Sequence, residues 1–286
     1  MHPIILSIGS FVIRSYGLML AIGFLSGIMF AAWRARKAGE NPDHIYNISV
    51  WIVISSLFGA RLYYIVTHYS EFRVDDAGSV FVRIFLELKN MFWPIGSDGQ
   101  IGISGLVLYG GLIFATAASA YYLKKHRLSV LLYMDILAPS IGLGEFFTRI
   151  GCFLNGCCFG HPTESVCGMI FPEDSAAGFY YPNTPIHPAQ LYNSLAGLSI
   201  FVLLLYFERY KKFNGFTALM YFVLYSVGRF TIDFSRYYEK GMTFWGFSHN
   251  QILSIIVFMV AGSLLVYYTI RAEKNARGRT NANHQP

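Results

Sequence analysis

The chain has 286 residues, with 22 Lys and Arg against 16 Asp and Glu for a net charge of +6; 13% of residues are charged, 54% hydrophobic and 17% aromatic. A soluble domain carries about 25% charged residues, so this composition excludes a disordered chain, a coiled coil and a disulfide miniprotein and argues against a water-soluble globule. The positive balance does not indicate nucleic acid, because the basic residues fall in short clusters between apolar runs, a pattern suited to anionic lipid headgroups.

A spanning helix needs about 20 mainly apolar residues. Residues 16–33 form the first such stretch. They lack a preceding basic region and a small-residue cleavage site, so they read as a retained span. Residues 48–66 are the second, with one charge, Arg61. The segment 68–100 reads as a long outer loop. Within it, residues 80–93 carry Arg83, Glu87 and Asn90 on one helical stripe among apolar residues, which predicts a helix lying in the interface. Residues 101–123 are the third span. The fourth, 129–148, holds Asp135, Pro139 and Glu145, and a membrane helix keeps such a proline only where neighbours re-satisfy the backbone it frees. A second outer loop, 149–186, contains all four cysteines. Residues 189–207, 215–234 and 252–270 complete the set, the middle one holding Arg229 and Asp233. The expected fold is an all-α integral membrane protein of about seven transmembrane helices, one domain over residues 1–271, with a polar, disordered tail at 272–286.

The Lys/Arg bias orients this arrangement. Clusters at Arg34, Arg36 and Lys37, at Lys124, Lys125 and Arg127, at Arg209, Lys211 and Lys212, and at Arg271, Lys274, Arg277 and Arg279 follow every second span. The N-terminus is expected outside and the C-terminus in the cytoplasm.

Charges within spans are costly and mark function by default. Arg61 is either functional or a structural partner for Asp135 or Glu145. Arg229 and Asp233 stand four apart and share one helix face, and Arg236, one turn further, is expected at the surface. Arg149 opens the segment Arg149-Ile150-Gly151-Cys152-Phe153-Leu154-Asn155-Gly156-Cys157-Cys158-Phe159-Gly160. Arginine is planar, always charged and bidentate, so Arg149 and Arg229, both near outer helix ends, can converge on one lipid phosphate. Cys152, Cys157, Cys158 and Cys167 match neither a redox pair nor a standard zinc pattern; one or two disulfides, zinc with His161, or free packing thiols all remain open. Gly102-Ile103-Ser104-Gly105 matches the short G-x-S-G pattern of rhomboid-type serine proteases, with His249 as the base, and equally an ordinary packing pair.

In combination the sequence resembles the prolipoprotein diacylglyceryl transferases, bacterial membrane enzymes. The resemblance spans residues 16–254. It rests on Tyr16-Gly17-Leu18-Met19, Gly59-Ala60-Arg61, Tyr109-Gly110-Gly111-Leu112, the Arg149–Gly160 segment, His187-Pro188-Ala189-Gln190-Leu191-Tyr192, Arg229 through Asp233 and Arg236, and Gln251-Ile252-Leu253-Ser254. It implies transfer of the diacylglyceryl group of phosphatidylglycerol to the lipobox cysteine of a preprolipoprotein signal peptide. A thioether forms and glycerol 1-phosphate leaves; no metal, cofactor or nucleic acid is involved, and the setting is a bacterial inner membrane. By resemblance Arg149 binds phosphatidylglycerol, Arg229 is the second essential arginine, and Tyr16, Asn155, Gly160 and Arg61 join the substrate-binding set. Tyr109, Asp233 and His187 complete the catalytic candidates. Three departures stand out. Tyr109 replaces a usual histidine, Cys152 and Cys157 replace a usual Asn and Glu, and Asp233 replaces a usual Glu. His187 and Asp233 are then the candidate bases. The alternative class is a multipass transporter or lipid-binding protein, with Arg61, Arg229 and Asp233 along an ion path.

Overall fold

A computed structural model describes residues 3–8, 11–73, 80–92, 107–238, 243–244 and 246–282. The Gly102–Gly105 match and much of the 68–100 segment lie outside the described residues. In chain order, a hairpin of β1 (Ile4–Ile8) and β2 (Phe11–Arg14) leads into α1 (Ser15–Lys37), followed by α2 (Asp43–Thr67), α3 (Val80–Phe92), α4 (Leu108–Lys125) and α5 (Val130–Asn155). Then come the short α6 (Ala176–Tyr180), α7 (Ala189–Phe207), α8 (Phe216–Asp233), a second hairpin of β3 (Thr243–Phe244) and β4 (Phe247–Ser248), and α9 (His249–Ala282).

The described chain is mostly helical, and five helical segments are long and apolar enough to cross a membrane: Ser15–Lys37, Asp43–Thr67, Val130–Asn155, Ala189–Tyr210 and His249–Arg277. The other two expected spans, α4 and α8, are 18-residue helices. They stand outside that set because α4 ends on Lys124 and Lys125 and α8 carries Arg229 and Asp233. The tail expected to be disordered continues α9 through Ala282; its Lys and Arg residues are good helix formers and no proline interrupts them before Pro286.

The chain divides into two units, Met1–Pro42 with Leu131–Pro286, and Asp43–Val130. In the second unit α2 packs on α4 at backbone contact: a Cβ added to Gly59 would stand 2.6 Å from the Gly110 carbonyl oxygen. Small residues allow such approach where no hydrophobic force drives helices together. Arg61 Nε donates to the Met91 carbonyl (2.7 Å) and its Nη2 to Asn90 (3.4 Å), tying down carbonyls at the C-terminal end of α3, and its guanidinium lies over the Tyr64 and Phe72 rings. On α3 the polar stripe faces protein, with Glu87 buried and bonded to Arg83 at 3.0 Å, while Phe81, Ile84, Phe85 and Leu88 are exposed. This inverted polarity suits a helix lying against lipid.

In the first unit, α5 and α7 also cross closely, a Cβ on Gly142 standing 2.9 Å from the Gly197 oxygen. Pro139 sits inside α5. It has no amide for the Asp135 carbonyl four residues back, and its ring crowds that turn. The buried Arg34 of α1 supplies the missing donors: Nη2 to the Asp135 carbonyl (3.0 Å) and Nε to the Ile136 carbonyl (3.1 Å). The same guanidinium grips both Glu208 oxygens at 2.6 and 2.7 Å. The buried Asp135 carboxylate accepts from the Gly215 and Ala218 amides (2.7 and 2.9 Å), capping α8, and pairs with Lys211 at 2.9 Å.

Candidate active site

The opposite end of this helix group carries the candidate site. α5 runs through the first half of the Arg149–Gly160 segment and stops on Gly156. That residue has φ +70°; its amide donates to the Phe153 carbonyl (3.1 Å) and the Cys157 amide to the Cys152 carbonyl (3.2 Å). This paired closure ends a helix on a left-handed glycine. Arg149, Cys152 and Asn155 therefore lie on a helix and not in the expected loop 149–186, because the chain first turns left-handed at Gly156. Cys158, at φ +61°, turns the chain back in a conformation rare for a residue with a side chain. Gly160 then bridges to Arg236 and donates to the His187 carbonyl at 3.0 Å. A Cβ on Gly160 would meet His187 Cβ at 2.6 Å. Its lack of a side chain lets this turn lie against Ser235 and Arg236.

Three arginines gather around the turn. Arg149 Nη2 lies 3.5 Å from Glu145 Oε1, one helical turn away on α5, and Glu145 also interacts with the charge of Arg229. Arg229 Nη2 lies 3.3 Å from Asp233 Oδ1 and 3.4 Å from the Tyr238 hydroxyl. The Arg236 guanidinium sits 5.8 Å from the Tyr238 ring centre, so this arginine, expected at the surface, packs inward. Two of the donors are orphaned. Arg229 Nη1 and Arg236 Nε are buried with no hydrogen-bond partner among the described residues. A buried unmade bond costs about 1–3 kcal/mol, more for a charged group, so two open donors on neighbouring arginines fit an anion.

Asp233 is saturated. Its buried carboxylate accepts from the Tyr238 and Ser248 hydroxyls as well as from Arg229. Ser248 and Gln251 cap α9 reciprocally: the Ser248 amide donates to Gln251 Oε1 (2.9 Å) and the Gln251 amide to Ser248 Oγ (3.1 Å), a capping box. Asn250 donates to the Tyr238 hydroxyl at 2.9 Å. Burial, and then the bond to Asp233, push the Tyr238 hydroxyl above its usual pKa, so it stays a donor. Tyr238, Ser248 and Asn250 were missed by the sequence reading; the S-x-x-Q spacing before the last apolar run was the available signal for Ser248.

Tyr16, in the first turn of α1, packs its backbone against Gly151 and its hydroxyl interacts with Arg149 and the cysteines. Asn155 lies beside the Cys157 thiol and interacts with it. His187 stands apart from the arginines. Its Nδ1 shares a 3.1 Å hydrogen bond with the Tyr192 hydroxyl, and its ring meets that of His161 at 5.1 Å. Burial, then the charge of His161, hold it below the usual imidazole pKa. Tyr109 is exposed and, with Arg61, belongs to the other unit.

None of the four cysteines is in a disulfide, in place of the bridges weighed from the sequence. The sulfurs of Cys152, Cys157 and Cys158 lie within 4.8 Å of one another. His161 is not among them, because its Nε2 is bonded to the Phe234 carbonyl at 2.8 Å. The neighbouring Cys152 and Cys157 thiols, and then the charges of Arg236 and Arg149, lower the Cys158 thiol from its usual range.

Five membrane-length helices define a multi-pass membrane protein, and a buried arginine cluster with two open donors lies at one end of them. Residues 3–268 match the sequence model of the family described as prolipoprotein diacylglyceryl transferase. The chain belongs to that family of transferases. It is 31% identical over 255 residues to phosphatidylglycerol–prolipoprotein diacylglyceryl transferase 2 of Clostridium perfringens (strain 13 / Type A), covering 89% of this chain and 90% of that protein. It is 29% identical to the phosphatidylglycerol–prolipoprotein diacylglyceryl transferase of Clostridium tetani (strain Massachusetts / E88), over 91% and 95% of the two chains. It is 31% identical to the transferase of the same name from Campylobacter lari (strain RM2100 / D67 / ATCC BAA-1060), over 91% and 90%.

Proposed function

We propose that this chain transfers the diacylglyceryl group of phosphatidylglycerol to the lipobox thiol of preprolipoprotein signal peptides, with Arg149, Arg229 and Arg236 holding the lipid phosphate. The observation that carries the assignment is the pair of orphaned donors, Arg229 Nη1 and Arg236 Nε. The thiolate sulfur attacks the sp3 glycerol carbon. A C–S bond forms as the C–O bond to phosphate breaks, and the electron pair leaves with the phosphate oxygen as glycerol 1-phosphate. The phosphate gains charge as it departs, so arginine contacts tighten in the transition state. Asp233 and Tyr238 orient Arg229.

With Asp233 saturated, His187 is the proton acceptor; its Nε2 has no hydrogen bond among the described residues, and its lowered pKa keeps it neutral at pH 7. Tyr16, Asn155 and Gly160 shape the turn beneath the phosphate, and in the other unit Arg61 anchors α3. A lateral cleft of about 200 Å³ between α8 and α9, lined by Ser226, Val227, Phe230, Ser254 and Phe258, accepts part of an acyl chain. In this reading α4 and α8 join the five membrane-length helices to give seven spans, with the N-terminus outside, the C-terminus in the cytoplasm and the site at the outer face of a bacterial inner membrane.

The test is incubation of the purified protein with labelled phosphatidylglycerol and a lipobox peptide. Thioether formation by wild type, and its loss in Arg229→Ala, is the expected result. No transfer by folded wild type overturns the assignment.

A further inference from the structure

Three cysteine sulfurs meet at the end of α5 for a reason written into the backbone. The glycine-terminated closure at Gly156 sets Cys157 against Cys152, a pair of positions whose contact is ordinarily apolar; here both carry sulfur. The left-handed Cys158 adds the third, and all three lie within 4.8 Å of one another. Sulfurs bound to a cation about 2.3 Å away stand roughly 3.8–4.0 Å apart in tetrahedral or trigonal geometry. The cluster therefore needs to close by less than about 1 Å. Cys152 is fixed by the helix, and the Cys157 thiol is held by the Cys152 carbonyl at 3.7 Å. Among the described residues no imidazole or carboxylate belongs to the group, and an all-thiolate set selects soft metals over hard ones.

We propose that Cys152, Cys157 and Cys158 form a binding site for one soft d10 cation of the Cd2+ and Cu+ class, and that its occupancy blocks the neighbouring arginines. On binding, the Cys152 and Cys157 protons, with any still on Cys158, leave to solvent as three metal–sulfur bonds form, and no electron moves. A tris-thiolate complex of such a cation carries a net charge of −1 or −2. Arg149 and Arg236 already interact with Cys158, so the complex takes the place of an anionic ligand between them. The binding stands independently of the transferase reading; the inhibition rests on it.

The experiment uses the full chain, purified reduced in detergent under anaerobic conditions and titrated with Cd2+. Thiolate-to-metal charge-transfer absorption should saturate at one Cd2+ per chain and remain in Cys167→Ser. Affinity should fall at least tenfold in each of Cys152→Ser, Cys157→Ser and Cys158→Ser, with helical content confirmed by circular dichroism. Absence of the band in folded, reduced wild type, or equal affinity in all four variants, overturns the site.

In the second arm, one equivalent of Cd2+ should inhibit diacylglyceryl transfer, raise the phosphatidylglycerol needed for half-maximal rate, and be reversed by EDTA. The triple serine variant should turn over and ignore Cd2+. Stoichiometric binding without inhibition overturns the blocking step. If metal-free wild type transfers nothing, the transferase reading fails while the titration still decides the metal site.

Discussion

Two buried arginine clusters sit at opposite ends of the same helices, and they differ in how completely they are satisfied. Arg34 makes four hydrogen bonds, two to carbonyls around Pro139 and two to Glu208. At the other end Arg229 and Arg236 each keep a buried donor with nothing to bind among the described residues. Among the described residues these two are the charged groups that keep a buried, unpartnered atom, which is why the proposed function puts the lipid phosphate there.

Breaking the saturated cluster should cost the most. Arg34→Ala leaves Glu208 and the two carbonyls without their donor; each buried carbonyl left unpaired costs about 1–3 kcal/mol, while the partly exposed Glu208 adds little. Thermal unfolding in detergent should show that loss, while turnover per folded molecule stays near wild type. Pro139→Ala restores an amide to the Asp135 carbonyl and should recover part of it; a strictly additive double variant would detach the proline from Arg34. At the open cluster the pattern reverses. Arg149→Ala and Arg229→Ala should each lower turnover per folded molecule by about 10²–10³, whatever unfolding temperature they lose through their carboxylate partners. Arg149→Lys should not rescue, lacking the planar fork.

Smaller effects separate the supporting residues. A thiol of pKa about 8.5 is a few per cent ionised at pH 7, so a base there gains at most about thirtyfold. His187→Gln should approach that limit at pH 7, and the difference should vanish as pH passes about 8.5. Because the His187 pKa is lowered, its proton-accepting form is present at pH 7 and is lost only as pH falls below about 6.5; an acid limb above that value would exclude it. Asp233→Asn keeps the shape and one acceptor oxygen but loses the charge and the acceptor for one of the two hydroxyls, so it should cost about tenfold. A loss as large as that of Arg229→Ala would give the carboxylate more than an orienting role.

The long helices were legible because apolar runs of membrane length leave few alternatives, and residues 189–207 coincide with α7. Arg229 and Asp233 were legible as a pair from their spacing, and they do pair. Arg34 and Arg61 were not. Arg34 reads as one of three adjacent cations, and Arg61 invites a carboxylate partner, yet both spend donors on backbone carbonyls. Carbonyls belong to every residue and leave no mark in the sequence. Pro139 was the one available clue, since it announces a carbonyl in need without saying which side chain meets it. Arg236 was misplaced for a related reason: its environment is made by the turn through Gly160, whose bridge joins residues 76 positions apart in sequence.

The partnership of Pro139 with Arg34 also bears on how the chain is assembled in a bilayer. α5 by itself carries carbonyls at Asp135 and Ile136 that its proline has disturbed, and lipid offers no donor for them. Their partner is about a hundred residues earlier in the chain, so α1 is already made when α5 emerges. α5 completes its own backbone only by docking on α1, which makes the first helix a template for the fifth and a chain beginning after residue 42 a poor candidate for insertion.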